Sequence, residues 1–282
     1  MGDTMNRMVS VAAFALLVGS GCSSSDSNDA CDPIAQTGCE ENQVCEEVVD
    51  GGTACFAPVV LRGNVFDQAD DGGIEGATVV ALDPNRAPAS TVAVTDASGD
   101  YEIQVARQRD TDGNPQGGDV TLRADAAGYQ TFPGGIRQAL PIDVSSPVEE
   151  DGVLVVETPT TDVGLIALPS GAGTNQIFGN VEVPDDSTGV LVVAETTGGT
   201  PAGFTAIADR DGVYRIFNLP DGDFSVLGDA HGANYRAQAA SVSGGEETQV
   251  DLSLSADAPG TVTGSVQIVN PGAGEGTSYI LV

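Results

Sequence analysis

The sequence predicts an all-β protein: tandem β-sandwiches that follow a signal peptide and a small disulfide-rich module. Three observations predict it. Val outnumbers Leu 34 to 15, a bias that favours strands over helices. Past Pro58, short Val-rich runs alternate with Gly/Asp/Pro turns, and no segment sustains a 3.6-residue period. One set of segments then occurs twice in the same order, the mark of a duplicated unit.

The first element is an address. Residues 1–21 read MGDTMNRMVSVAAFALLVGSG, and the apolar run Met8–Gly21 is 14 residues long. That is too short to span a bilayer as a helix, which needs about 20 residues, but it suits a signal-peptide core. Met5 is the expected start, because it leaves the positively charged beginning MNRM. LVGSG followed by Cys22 resembles a bacterial lipobox, which implies acylation of Cys22 and a lipid anchor in the membrane. The alternative is a soluble secreted protein cut nearby, with Cys22 free. Residues 22–30 are Ser/Asp/Asn-rich and read as a flexible tether. Ser23 after the cysteine resembles outer-membrane sorting in enterobacteria, so the expected location is the outer membrane or cell surface.

Residues 31–57 form the second element. With Cys22 assigned to lipid, Cys31, Cys39, Cys45 and Cys55 remain, all within 25 residues. So short a segment cannot bury a core and needs cross-links, and an exported chain allows them. Two disulfides are expected, with three pairings open. A four-thiolate zinc site is disfavoured, since the gaps of seven, five and nine residues contain no CxxC knuckle. The segment CDPIAQTGCEENQVCEEVVDGGTAC resembles four-cysteine modules near the amino termini of myxobacterial surface proteins, which implies a spacer or interaction module.

Two sandwiches are expected at residues 59–169 and 175–256. LRGNVFD (61–67) matches IFGNVEV (177–183), and GATVVALD (76–83) matches GVLVVAET (189–196). TDASGDYEI (95–103) matches ADRDGVYRI (208–216), and LRADAAGYQ near Gly128 matches LGDAHGANYRA near Gly232. TTDVGLIAL (160–168) is aligned with ETQVDLSLS (247–255). The first copy is longer, chiefly between Thr131 and Pro159. Residues 260–282 read as an incomplete third repeat, because EGTSYIL echoes EGATVVA. Two strands cannot bury a sandwich core, so a fragment of a longer protein is expected. The alternative is that these strands extend the second sandwich.

The motif shared by the copies is Gly63/Val65, Gly76–Ala81, Thr95-Asp96…Gly99…Tyr101 and Gly128-Tyr129. It resembles the carboxypeptidase regulatory-like domain, a transthyretin-like, Ig-like sandwich, and that likeness implies a fold rather than an activity. Asp96 and Asp209 are expected to bond turn backbone and Gly99 and Gly212 to supply positive φ. Tyr101 and Tyr214 are expected to open the next strand, ring buried and hydroxyl near the rim.

Charge excludes one function class. Ten basic residues, all Arg, face 41 acids for a net −31, so no surface can neutralise nucleic-acid phosphates. Asp110, Asp112 and Asn114 sit at the first, third and fifth positions of an EF-hand-like Ca2+ loop, but Pro115 and Thr121 break the pattern. The favoured reading is an acidic hairpin tip between strands 102–107 and 120–124. The single His231 has no Cys or His neighbour and reads as a loop residue. The aromatics mostly occupy strand or motif positions, which leaves few for a sugar platform. The expected function is therefore non-catalytic: a lipid-anchored envelope protein displaying sandwiches to an unidentified envelope or extracellular partner, with no cofactor beyond a possible Ca2+. A carbohydrate- or Ca2+-binding surface module is the alternative, and so is an accessory region of a longer enzyme.

Overall fold

A computed structural model describes residues 31–33, 35–184, 189–197, 203–257, 260 and 263–265. The leader, Cys22, the tether and nearly all of the third repeat lie outside the described residues.

The cysteine module holds one hairpin, β1 (Val44–Glu47) with β2 (Thr53–Phe56). Cys31 bonds Cys45 and Cys39 bonds Cys55, with Cα–Cα distances of 5.7 and 5.5 Å. This selects one of the three pairings the sequence left open. It also commits all four sulfurs to disulfides, so none is left as a zinc ligand.

The first sandwich contains β3 (Val59–Asp67), β4 (Thr78–Leu82), β5 (Ala93–Val94), β6 (Asp100–Val105), β7 (Gln108–Arg109), β8 (Pro115–Gln116), β9 (Thr121–Asp125), β10 (Val148–Glu150), β11 (Val153–Val156) and β12 (Val163–Leu165). The second contains β13 (Asn175–Asn180), β14 (Val190–Thr196), β15 (Gly203–Ala208), β16 (Val213–Leu219), β17 (Gly222–Asp229), β18 (Gln238–Val242) and β19 (Glu247–Gln249). Among the described residues there is no helix.

The two units share one topology. The opening strand pairs antiparallel with the strand that carries the motif tyrosine, β3 with β6 and β13 with β16. The opening strand also pairs in parallel with the closing strand, β12 or β19. The facing sheets are β5-β4-β9 and β15-β14-β17-β18. Alternation places the apolar residues inside: β6 reads exposed at Asp100, Glu102 and Gln104 and buried at Tyr101, Ile103 and Val105. Val59, Val65 and Val79 are fully buried in the first core, as are Val192 and Val226 in the second. Short β-branched side chains suit the narrow space between two sheets.

The longer first copy uses its insert to build the β10–β11 hairpin, which adds β11 alongside Val59–Leu61 of β3. In the second unit β19 fills that place, pairing with Gln176–Phe178.

Two sequence readings change. The closing strands align two residues away from the sequence match: Asp162 corresponds to Asp251, since each accepts the backbone N–H of the matching asparagine, Asn64 (3.0 Å) or Asn180 (2.9 Å). A two-residue slip preserves the inward and outward faces, so the alternation pattern could not reveal it. The acidic loop also does not join neighbouring strands. β6 and β9 lie in opposite sheets, and the crossing between them carries its own small ladder, β7–β8.

Candidate functional site

The recurrent motif is a device for closing the sandwich. Asp96 Oδ1 accepts from Ser98 N (2.8 Å) and Asp100 N (3.0 Å), and Asp209 Oδ1 accepts from Asp211 N (3.0 Å) and Val213 N (2.8 Å). These are Asx turns, completed by Gly99 at φ 83° and Gly212 at φ 79°. Tyr101 Oη then donates to Thr161 O and Tyr214 Oη to Val250 O, each at 2.5 Å. The hydroxyls are buried, not at the rim, and burial pushes both phenols well above their ordinary pKa. A glycine within each opening strand makes this possible: a Cβ on Gly63 would lie 2.3 Å from Thr161 O, and one on Gly179 would lie 2.1 Å from Val250 O. Thr95 adds a further tie, donating to Ile74 O (2.5 Å) and accepting from Ala77 N (2.9 Å). Ala208 holds the matching position in the second unit and has no hydroxyl to do the same.

The seam between the sandwiches is polar and specific. Asp209 uses its second oxygen, Oδ2, to accept the backbone N–H of Val92 in the first sandwich at 2.7 Å. Asp209 is 2% exposed, and burial raises its pKa despite the N–H donors that oppose the rise. Asn218, held at φ 63°, donates Nδ2 to Ala126 O (3.0 Å) and Tyr129 O (2.9 Å) while its Oδ1 accepts from Gly128 N (2.7 Å). Arg123 pairs with Asp125 at 2.8 Å and donates Nη2 to Thr205 O at 2.7 Å. Between these contacts lies a cavity of about 330 Å³, bounded by Val80, Val92 and Val94 on one side and by Phe178 and Arg215 on the other. Sequence reasoning assigned Asp209 to its turn and missed the seam, because a turn aspartate carries no mark of a second acceptor role.

The cysteine module is anchored by a buried ion pair that the sequence did not announce. Arg109 on β7 is 1% exposed and donates Nε to Glu46 of β1 at 2.5 Å. Its Nη2 reaches Ala57 O (2.8 Å), and its guanidinium lies 4.9 Å from the centre of the Phe56 ring. Glu46 also accepts from Arg107 N at 2.7 Å. Burial raises the Glu46 pKa, and Arg109 opposes that rise.

In the Asp110 loop the first ligand position is already engaged. The Asp110 carboxylate accepts from Asp112 N (2.9 Å), Asn114 N (2.8 Å), Asn114 Nδ2 (3.0 Å) and Gln116 Nε2 (3.3 Å), and the bonds from Asn114 above all hold its pKa below the ordinary carboxylate value. Among the described residues, the group of Cys, His, Asp or Glu close enough to share an ion is Cys31, Cys39 and Cys55, all disulfide-bonded. His231 is exposed in a turn. Several aromatics carry arginines rather than open faces: Arg215 lies 4.9 Å from the Phe178 centroid and Arg137 lies 4.8 Å from that of Phe132.

No family model matches the chain, and no curated protein matches it. Solved structures do. The chain is similar to the Bacillus anthracis TIE protein at TM-score 0.25 and 12% identity, over 70% of this chain and 34% of that one. It is similar to a Streptococcal ancillary pilin at TM-score 0.23 and 14% identity, over 71% of this chain and 63% of that one. It is also similar to BcpA, the major pilin subunit of Bacillus cereus, at TM-score 0.26 and 10% identity, over 68% and 99%. The chain thus spans about a third of the first of these proteins and under two thirds of the second. Scores of this size assign no activity.

Proposed function

We propose that this chain is a non-catalytic, exported envelope lipoprotein. Cys22 carries the lipid, the disulfide module stands next to the tether, and the tandem sandwiches are held away from the membrane for display or interaction. The observation that carries this reading is where the recurrent Asp, Gly and Tyr residues spend their polar groups. Asp96, Asp209, Tyr101 and Tyr214 bond backbone N–H and C=O groups, so the repeated signature serves closure of the fold. Two disulfides in a short module suit an oxidising compartment outside the cytoplasm. The net charge of −31 keeps such a surface soluble and repels nucleic acid and anionic membrane surfaces, which suits attachment through covalent lipid rather than through surface charge.

The test is membrane fractionation with intact-mass measurement. The parent chain is expected in the membrane fraction with a diacylglyceryl-modified Cys22, and Cys22→Ala in the soluble fraction. An unmodified Cys22 in the parent, or a Cys22→Ala chain that still sediments with membranes, would overturn the reading.

A further inference from the structure

A second cleft opens where the first sandwich's insert meets the second sandwich. Its volume is about 710 Å³, within the range of small-molecule sites. Arg86, Arg123 and Arg137 line it together with Gln138, and among the described residues no Asp or Glu lines it. The chain has 41 acids and ten arginines, so Arg86 and Arg137, in a cleft lined by no described acid, reverse the local sign of the surface. Among the described residues no carboxylate pairs with Arg86 or Arg137. Arg123 is paired, but its partner Asp125 does not line the cleft. Arg137 is also held in place: it stacks on Phe132 and donates to Gly164 O, which fixes the guanidinium without neutralising it. Across the cleft, Leu191 and Ile207 of the second sandwich present half-buried apolar side chains.

We infer that this cleft binds a small amphipathic anion. The oxyanion head, a phosphate, sulfate or carboxylate, is held by Arg86 and Arg137, and the apolar body lies against Leu191 and Ile207. Guanidinium groups suit such heads because they offer paired donors to paired oxygens. The surrounding charge of −31 disfavours an extended polyanion, which would be repelled wherever it left the cleft, and so selects for a compact ligand.

The test is calorimetric titration of the full chain with dodecyl phosphate kept below its micelle concentration. Inorganic phosphate and the uncharged dodecyl maltoside serve as separated head and body. Saturable one-to-one binding of dodecyl phosphate is expected, with each separated half binding at least about tenfold more weakly. Arg86→Gln, at an exposed residue with no ion pair to lose, is expected to weaken binding by about tenfold at an unchanged melting temperature. Arg137→Gln should do the same, but it also removes a contact to Gly164 O, so Arg86→Gln is the deciding variant. Arg210→Gln, outside the cleft, should change nothing. The proposal fails if dodecyl phosphate does not bind, if dodecyl maltoside binds as well as it does, or if Arg86→Gln and Arg210→Gln behave alike.

Discussion

The carboxylate of Asp209 accepts the backbone N–H of Val92 at 2.7 Å, so one side chain serves a turn in the second sandwich and the seam with the first. Its counterpart Asp96 is exposed and serves its own turn. Asp209→Ala removes both roles and leaves Val92 N without its acceptor, at a cost of about 2–3 kcal/mol. Asp96→Ala costs about 1 kcal/mol. Urea unfolding measures the difference, and limited proteolysis is expected to cut residues 170–174, between the two sandwiches, faster in Asp209→Ala.

Burial raises the Asp209 pKa, so the folded chain holds this proton more tightly than the unfolded chain does. The contribution of that proton to stability is present at low pH and is lost as pH rises through the raised value. Asp209→Asn keeps an acceptor but removes the titration. Its stability relative to the parent is therefore expected to improve as pH rises from the ordinary carboxylate range, about pH 4, upward. Paired urea melts across that rise check the sign, and an unchanged difference would contradict it.

Tyr101→Phe and Tyr214→Phe each strand a buried carbonyl, that of Thr161 or Val250, at a cost of about 1–2 kcal/mol. The two sites share no partner, so the double variant should lose the sum. Gly63→Ala places a methyl 2.3 Å from a backbone oxygen that cannot swing aside, and a loss of about 3 kcal/mol or more is expected. Denaturant midpoints rank the three, with Gly63→Ala lowest.

Glu46→Ala leaves Arg109 charged, buried and without its carboxylate. A loss of about 3–5 kcal/mol is expected in the docking of the module. Hydrogen exchange should report it first at Val49 N, which donates to Arg109 O, before the cores of the sandwiches respond.

Much of the architecture was legible from the chain. Val-rich alternation and the ordered repeats predict all-β sandwiches, and the Asp-x-x-Gly-x-Tyr spacing already contains the turn geometry found at Asp96 and Asp209. What escaped was long-range. The closing strands slipped by two residues because both registers bury the same face, and the bond from Asp162 to Asn64 that fixes the register is visible only in three dimensions. The pairing of Cys31 with Cys45 had no sequence correlate. Arg109 carries no sequence signal of its own, yet its guanidinium is the anchor for a separate module. The sequence placed Asp110 in a loop with ligand-like spacing, but spacing alone could not show how many of that carboxylate's lone pairs its own turn consumes.

The two disulfides also shape how the molecule would bear a load. A pull applied at Cys31 passes across the Cys31–Cys45 bond into the hairpin rather than along the intervening backbone. From Phe56, two residues lead to Val59, the first residue of a strand flanked by β6 on one side and by β11 and β12 on the other. Tension arriving there runs along the strand and sets many hydrogen bonds in shear at once, instead of peeling them one by one. A protein tied at that end would meet drag from its surroundings with a strand bonded along both of its edges.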